Sequence, residues 1–226
     1  MSTKLLAIDT SGDACSAALL YDGECRQRLE AIPRRHGELI LPMMDGLLAE
    51  AGLRLEDLDA MAFGRGPGSF TGVRIATAVA QGAAFGADLP VVPVSTLAAL
   101  AKGEYRRSGY LSLAAAFDAR MGELYWGCFR ISPDGLPEAV LEEQVAGVDG
   151  VQLPDGVGWY GVGAGWAVHG ERLRRRFLGR LDATNPEAVC EAQDIAVIAA
   201  ARFQCGVWVA ADAALPVYLR DRVTAN

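Results

Sequence analysis

Two short stretches carry the residue types that could handle a phosphate. Asp9-Thr10-Ser11-Gly12 closes the apolar run that starts at Lys4, and it sets a carboxylate beside two hydroxyls. Such a set could hold a metal-bound water and phosphate oxygens. The second stretch, Gly64-Arg65-Gly66-Pro67-Gly68-Ser69-Phe70-Thr71-Gly72-Val73-Arg74, follows the apolar run Ala60-Met61-Ala62-Phe63 and opens a helical pattern, so it is a strand-to-helix turn. Four glycines in nine residues allow positive φ and close backbone approach, and Pro67 stiffens one corner. Ser69 or Thr71 can cap the helix, whose first free N–H groups form an anion site. Both stretches also have a plainer reading: Asp, Ser and Gly are what turns prefer, and a glycine-rich connection into a capped helix needs no ligand.

Other chemistries find less support. Gly161-Val162-Gly163-Ala164-Gly165 lacks the GxGxxG spacing and the βαβ setting of a dinucleotide loop. The five cysteines, Cys15, Cys25, Cys128, Cys190 and Cys205, form no CxxC pair, which reads as reduced packing residues of a cytoplasmic protein. The two histidines, His36 and His169, are far apart and match no zinc-ligand spacing, so no metal site is expected. Asp118 and Arg120 read as a turn-stabilising pair. A net charge of −7 opposes direct binding to a phosphate backbone. The exceptions are Arg34-Arg35, Arg106-Arg107 and the segment Arg172, Arg174, Arg175, Arg176 and Arg180, read first as a solvated helix face and second as a patch near a partner or RNA.

These groups must be positioned by strands and helices. Strands are expected over Lys4–Asp9, Ala14–Leu20 and Cys25–Ala31, the last two joined by the hairpin Tyr21-Asp22-Gly23-Glu24. Apolar residues Leu39, Ile40, Met43, Met44, Leu47, Leu48 and Ala51 follow helical spacing from His36, with Gly52 as the stop. A strand at Ala60–Phe63, a helix from Thr71 to about Gly86, a strand at Pro90–Val94 and a helix capped by Ser95-Thr96 complete the first part. Further strands are expected at Leu111–Phe117, Glu123–Ile131 and Gly158–Tyr160, then the arginine-rich helix, then a long helix from Glu187 to Gln204.

The order is that of an actin-like or RNase H-like lobe, an α/β architecture. In that architecture Asp9, Thr10, Ser11, Gly66, Gly68 and Ser69 sit at the nucleotide cleft. The polar stretch Lys102–Gly109 suggests lobes at 1–104 and 105–226. At 226 residues and 51% hydrophobic the chain can bury a substantial core. No run has the length and apolar content to span a bilayer, and Met1-Ser2-Thr3-Lys4 leads directly into a strand, so a soluble, untargeted, cytoplasmic protein is expected.

One element does not fit a solvated monomer. Ile75 to Ala87 contains no charged side chain, whereas a helix lying on a sheet shows water a polar face. Either the chain buries it or another polypeptide covers it. On a helical wheel Ile75, Val79, Gly82 and Phe85 share one side, expected to fill the space above the sheet. Val73, Thr77, Ala80 and Ala84 share the other, a small side suited to a tight helix seam.

Taken together, Ile8-Asp9-Thr10-Ser11, His36-Gly37-Glu38 with Leu41-Pro42, Gly66-Pro67-Gly68-Ser69-Phe70-Thr71-Gly72-Val73-Arg74-Ile75, Asp118-Ala119-Arg120 and Pro216-Val217-Tyr218-Leu219-Arg220 resemble the bacterial TsaB (YeaZ) family. The resemblance implies an α/β fold of the actin-like, RNase H-like (ASKHA) type with two lobes, each a mixed sheet flanked by helices, and a non-catalytic scaffold or activating subunit in the machinery that makes threonylcarbamoyladenosine next to the anticodon of tRNA. The implied partners are a TsaD-like catalytic transferase, a TsaE-like ATPase and, for the chain alone, a second copy; tRNA is reached through the complex. In the catalytic paralogue a helix after the glycine loop carries two metal-binding histidines four residues apart, and those positions fall here at Thr96 and Leu100. The family pairs through its first two long helices. This implies an interface of His36, Leu39, Ile40, Met43 and Leu47 with Val73, Arg74, Thr77, Ala80 and Ala84. No cofactor of its own is expected, with adenine nucleotide bound weakly or only alongside partners. Two other classes stay in view, an ATPase or kinase using Asp9, Gly66 and Gly68, and a peptidase, for which no metal pair or Ser-His-Asp motif is evident.

Overall fold

The computed structural model describes residues 3–32 and 35–220. Arg34 of the first arginine pair, the leading Met1-Ser2 and the polar tail at 221–226 lie outside the described residues.

The chain divides into two compact units. The first comprises Met1–Ala99 and Cys190–Val217. Its five-stranded sheet uses β1 (Leu5–Asp9), β2 (Cys15–Tyr21), β3 (Glu24–Glu30), β4 (Ala60–Gly64) and β5 (Val91–Val94), in the order β3-β2-β1-β4-β5. The first three strands are antiparallel neighbours, while β1, β4 and β5 run parallel. Side chains alternate across a strand. Leu6, Ile8, Met61 and Phe63 therefore face helices α1 (His36–Ala51) and α2 (Phe70–Gly86) in one apolar core. Leu5, Ala7 and Asp9 face the opposite side, where α5 (Ala192–Gln204) lies across the sheet. Gly52 ends α1 in the left-handed region at φ 66°, which a residue without Cβ adopts freely.

The second unit comprises Leu100–Val189 and Tyr218–Asn226. Its sheet has the order β11-β10-β6-β7-β8, with β9 also pairing β7. The strands are β6 (Ser112–Arg120), β7 (Glu123–Ile131), β8 (Pro137–Ala139), β9 (Gln144–Gly147), β10 (Trp159–Val162) and β11 (Leu181–Asn185). Helix α4 (Gly165–Phe177) packs its buried side, Trp166, Leu173 and Phe177, against Trp126 of β7. Asp118 and Arg120 do form the expected pair at 3.1 Å, and Asp118 also accepts the Arg120 amide.

Three expectations change. The boundary at 104/105 falls inside α3 (Thr96–Ser108), and the last helix returns to the first unit, because that sheet has a second apolar face to cover. The final helix starts at Ala192 rather than Glu187. Strands β8, β9 and β11 were not expected: they are short and only partly buried, so they lack apolar alternation.

Candidate functional site

The first strand ends in a buried carboxyl. Asp9, Thr10 and Ser11 are all shielded from solvent, Gly66 is buried, Gly68 half-buried and Ser69 exposed. The fold brings these six candidate residues together, but it turns their polar atoms on one another. The Ser69 amide donates to the Ser11 carbonyl at 2.7 Å, and the Thr10 hydroxyl donates to the Gly72 carbonyl at 2.6 Å. Ser69 caps α2 by accepting the Gly72 amide. The Gly66 carbonyl accepts the Thr96 amide at 3.1 Å, and the Pro67 carbonyl accepts the Thr96 hydroxyl. The Gly66-Pro67 peptide is cis.

The glycines are explained by these approaches. A Cβ on Gly72 would land on the Thr10 carbonyl oxygen, and one on Gly68 would strike Ser11. Gly66, at φ 97°, lies against the Val217 carbonyl. Close backbone packing within the chain thus occupies space beside the turn that a phosphate cradle would leave open, and the Ser69 amide at the start of α2 is given to the chain's own Ser11 carbonyl. Sequence reasoning could not separate the two uses, since both require glycine.

Asp9 itself has an unusual setting. Its Oδ2 accepts the Ser11 hydroxyl at 3.0 Å and the Ser11 amide at 3.3 Å, while Oδ1 has no hydrogen-bond partner. Oδ1 fits only because Gly64 carries no side chain, and the Thr96 methyl lies against the same spot. Burial pushes the Asp9 carboxyl up to about 7, a rise that the Ser11 bonds and the neighbouring Cys190 thiol only partly offset. Gly64, the contact that makes this possible, was not singled out in the sequence.

The positions matching the paralogue's histidines, Thr96 and Leu100, are fully buried. Among the described residues no group of three His, Cys, Asp or Glu is placed to hold a metal ion. The Cys15 thiol points at the His36 carbonyl rather than its ring, and burial raises that thiol to about 11. His169 Nε2 lies 3.9 Å from Asp118.

The helix faces are the main correction. Val73, Thr77, Ala80 and Ala84, expected to face a partner, are buried against the sheet, with Ala80 and Ala84 at 0% exposure. Ile40, Met43 and Leu47 of α1 are likewise buried. The reason is complementarity of size: Leu6, Ile8, Met61 and Phe63 supply the bulk, so the helix above them presents small residues. Of the expected interface only His36, Leu39 and Arg74 keep exposed surface. The outward strip of α2 is instead Phe70, Thr71, Arg74, Ala78, Gly82 and Phe85, the last 81% exposed, with Ile75 and Val79 half-buried at its margin. The Arg74 guanidinium stacks 3.7 Å from the Phe70 ring centroid. On α1, Leu41 and Pro42 face outward.

The arginines of α4 are engaged within their own unit. Arg172 pairs with Asp149 at 2.7 Å, Arg174 donates to the Thr184 hydroxyl at 2.6 Å, and Arg175 pairs with Glu171. Arg176 donates to the carbonyls of Val148 and Val151, and Arg180 to that of Pro154. This agrees with a solvated, self-paired helix face.

Comparison with known proteins follows the same lines. Residues 30–157 match the family model described as TsaD, tRNA N6-adenosine threonylcarbamoyltransferase. The Escherichia coli tRNA threonylcarbamoyladenosine biosynthesis protein TsaB is 41% identical over 97% of this chain and 96% of its own length. A Pseudomonas aeruginosa crystal structure, described as similar to peptidase YEAZ, superimposes with a TM-score of 0.91 at 44% identity, covering 96% of this chain and all of that one. YeaZ from Pseudomonas aeruginosa gives 0.87 at 43% identity with the same coverage.

Proposed function

The chain belongs to the TsaB (YeaZ) family and has its actin-like fold; from that premise we propose that it serves tRNA threonylcarbamoyladenosine biosynthesis as a non-catalytic subunit. In this reading it holds a TsaD-like transferase in an active form, is joined by a TsaE-like ATPase, pairs with a second copy when alone, and reaches tRNA through the assembly, in the cytoplasm where tRNA is modified. Among the described residues no helix is long and apolar enough to cross a membrane.

The observation that carries the proposal is the outward strip on adjacent helices: Leu41 of α1 with Phe70, Ala78, Gly82 and Phe85 of α2. Large exposed aromatics flanking small residues suit a close helix-to-helix contact with anchors at its ends. The closed glycine turn supports the non-catalytic part, since the Arg65 and Ser69 amides and the Thr10 and Thr96 hydroxyls around it are spent on the chain itself. It also weighs against the ATPase or kinase reading, and we expect the chain alone to bind adenine nucleotide weakly or not at all. For the peptidase reading, the Cys15 thiol is turned to the His36 carbonyl and away from its ring.

The test is capture of a purified TsaD-like partner by the chain and by its Phe85→Glu and Ala78→Glu variants, alongside tRNA modification by the reconstituted set. Both variants should keep the circular dichroism of the parent and lose capture and modification together. Wild-type capture by both, or turnover by the chain alone, overturns the proposal.

A further inference from the structure

The polar joint between the β1–β2 turn and the glycine turn contains a group that no part of the proposed function uses. Asp9 is fully buried and its Oδ1 is unpaired, although the polar atoms around it find partners: Ser11 Oγ and N on Oδ2, Thr10 Oγ1 on Gly72, Ser69 N on Ser11 and Thr96 Oγ1 on Pro67. Burying a carboxylate without a cation or a full set of donors is costly, whereas the neutral acid needs far less.

Beyond the two Ser11 bonds and the Cys190 thiol, the described residues around Asp9 do not compensate its charge. From β2, Ser16 stands opposite Asp9, while the Cys15 thiol, near enough to feel its charge, is turned to the other face toward Met43; from the segment before α5 comes Cys190, with Glu191 and Asp194 behind; β4 contributes Gly64, and α3 the Thr96 methyl. Each titratable group in that set is a thiol or a carboxyl, and none is a cation.

From this geometry we propose that Asp9 is a proton-linked latch: with its proton on, the β1–β2 turn and the glycine turn close on each other, and with it off, the unpaired carboxylate loosens that joint and the first turn of α2. The linkage runs through Ser11, which touches Asp9 on one side and receives the Ser69 amide and the Gly68 backbone on the other. Ser69 in turn caps α2, so freeing it unfastens the helix start that carries Phe70 and Arg74. The consequence for partner capture rests on the reading above, but the latch is tested without any partner.

The direction and range of the effect agree with the carboxyl's elevation to about 7. Two measurements on the whole chain decide it. Carbon-detected NMR of the Asp9 carboxyl should titrate about three pH units above an ordinary aspartate. Amide exchange at Ser69 and Gly72 should lose protection about tenfold per pH unit between the ordinary aspartate range and about 7 and level off above it, because only there is the opened carboxyl ionised while the closed one keeps its proton, while β7 amides keep theirs. In Asp9→Asn the protection should be flat with pH. A carboxyl that titrates in the ordinary aspartate range overturns the proposal, even if the variant fails to fold. So does Ser69 protection that follows the same pH course in both proteins or ignores the titration.

Discussion

Gly72 lies against Thr10 so closely that the Thr10 carbonyl oxygen occupies the place of the glycine's missing Cβ, and the Thr10 hydroxyl closes the contact by bonding the Gly72 carbonyl at 2.6 Å. Gly72→Ala must push the two turns apart, so we expect a loss of about 3 kcal/mol or more. Gly82 is the control, because a methyl added there would meet nothing within 4 Å. Gly82→Ala should gain about 0.5–1 kcal/mol by stiffening the unfolded chain. Urea melts of both variants at concentrations that keep the chain monomeric provide the comparison.

Ala80→Glu should unfold the first unit. Ala80 is completely enclosed between α2 and the sheet, and an unpaired carboxylate there has neither water nor a cation. Ala78→Glu, on the exposed side, should fold normally and differ only in association. Far-ultraviolet circular dichroism with sedimentation analysis separates the two; a folded, monomeric Ala80→Glu protein would refute the face assignment.

Global stability should depend on pH through Asp9. Its folded value is raised from 3.8 to about 7, so its stabilising share is fully present below the unfolded value and is lost as pH rises through 7. Three units correspond to about 4 kcal/mol as an upper figure. Denaturant midpoints taken from pH 5 to 8.5 should fall for the parent and much less for Asp9→Asn.

The α4 arginines should separate into two kinds. Arg174→Ala and Arg175→Ala remove exposed pairs and should change stability by under about 1 kcal/mol, with tRNA modification by the full assembly unchanged. Arg176→Ala strips the donor from two backbone carbonyls, of Val148 and Val151, and should cost about 1–3 kcal/mol. A modification defect in the first two variants would restore the reading of this helix as an RNA contact.

What the sequence disclosed follows physical period and punctuation. α1 runs from His36 to Ala51 as its apolar spacing and Gly52 required, and the strand-to-helix turn at Gly64 is where the glycines and Ser69 put it. The inward face of α2 was not legible, because both of its sides are apolar. Which one packs is decided by Phe63, Met61, Ile8 and Leu6, strand residues whose bulk favours small side chains such as Ala76, Ala80 and Ala84 above them. The burial of Asp9 was hidden for a related reason: an aspartate before Thr-Ser-Gly reads as a turn, and only the absent side chain of Gly64 across the sheet lets it sink. The return of α5 left no local signal, since its sequence fits any apolar sheet face.

The discontinuity of the first unit also bears on synthesis. Strands β1 to β5 leave the ribosome long before the helix that covers Leu5, Ala7 and Asp9, because Leu100–Val189 is inserted between them. The inserted unit, apart from its closing residues after Tyr218, can pack while the earlier sheet still has one bare side. The nascent chain therefore carries an open apolar surface from the completion of β5 until α5 is made, and closure of the first unit waits on that helix.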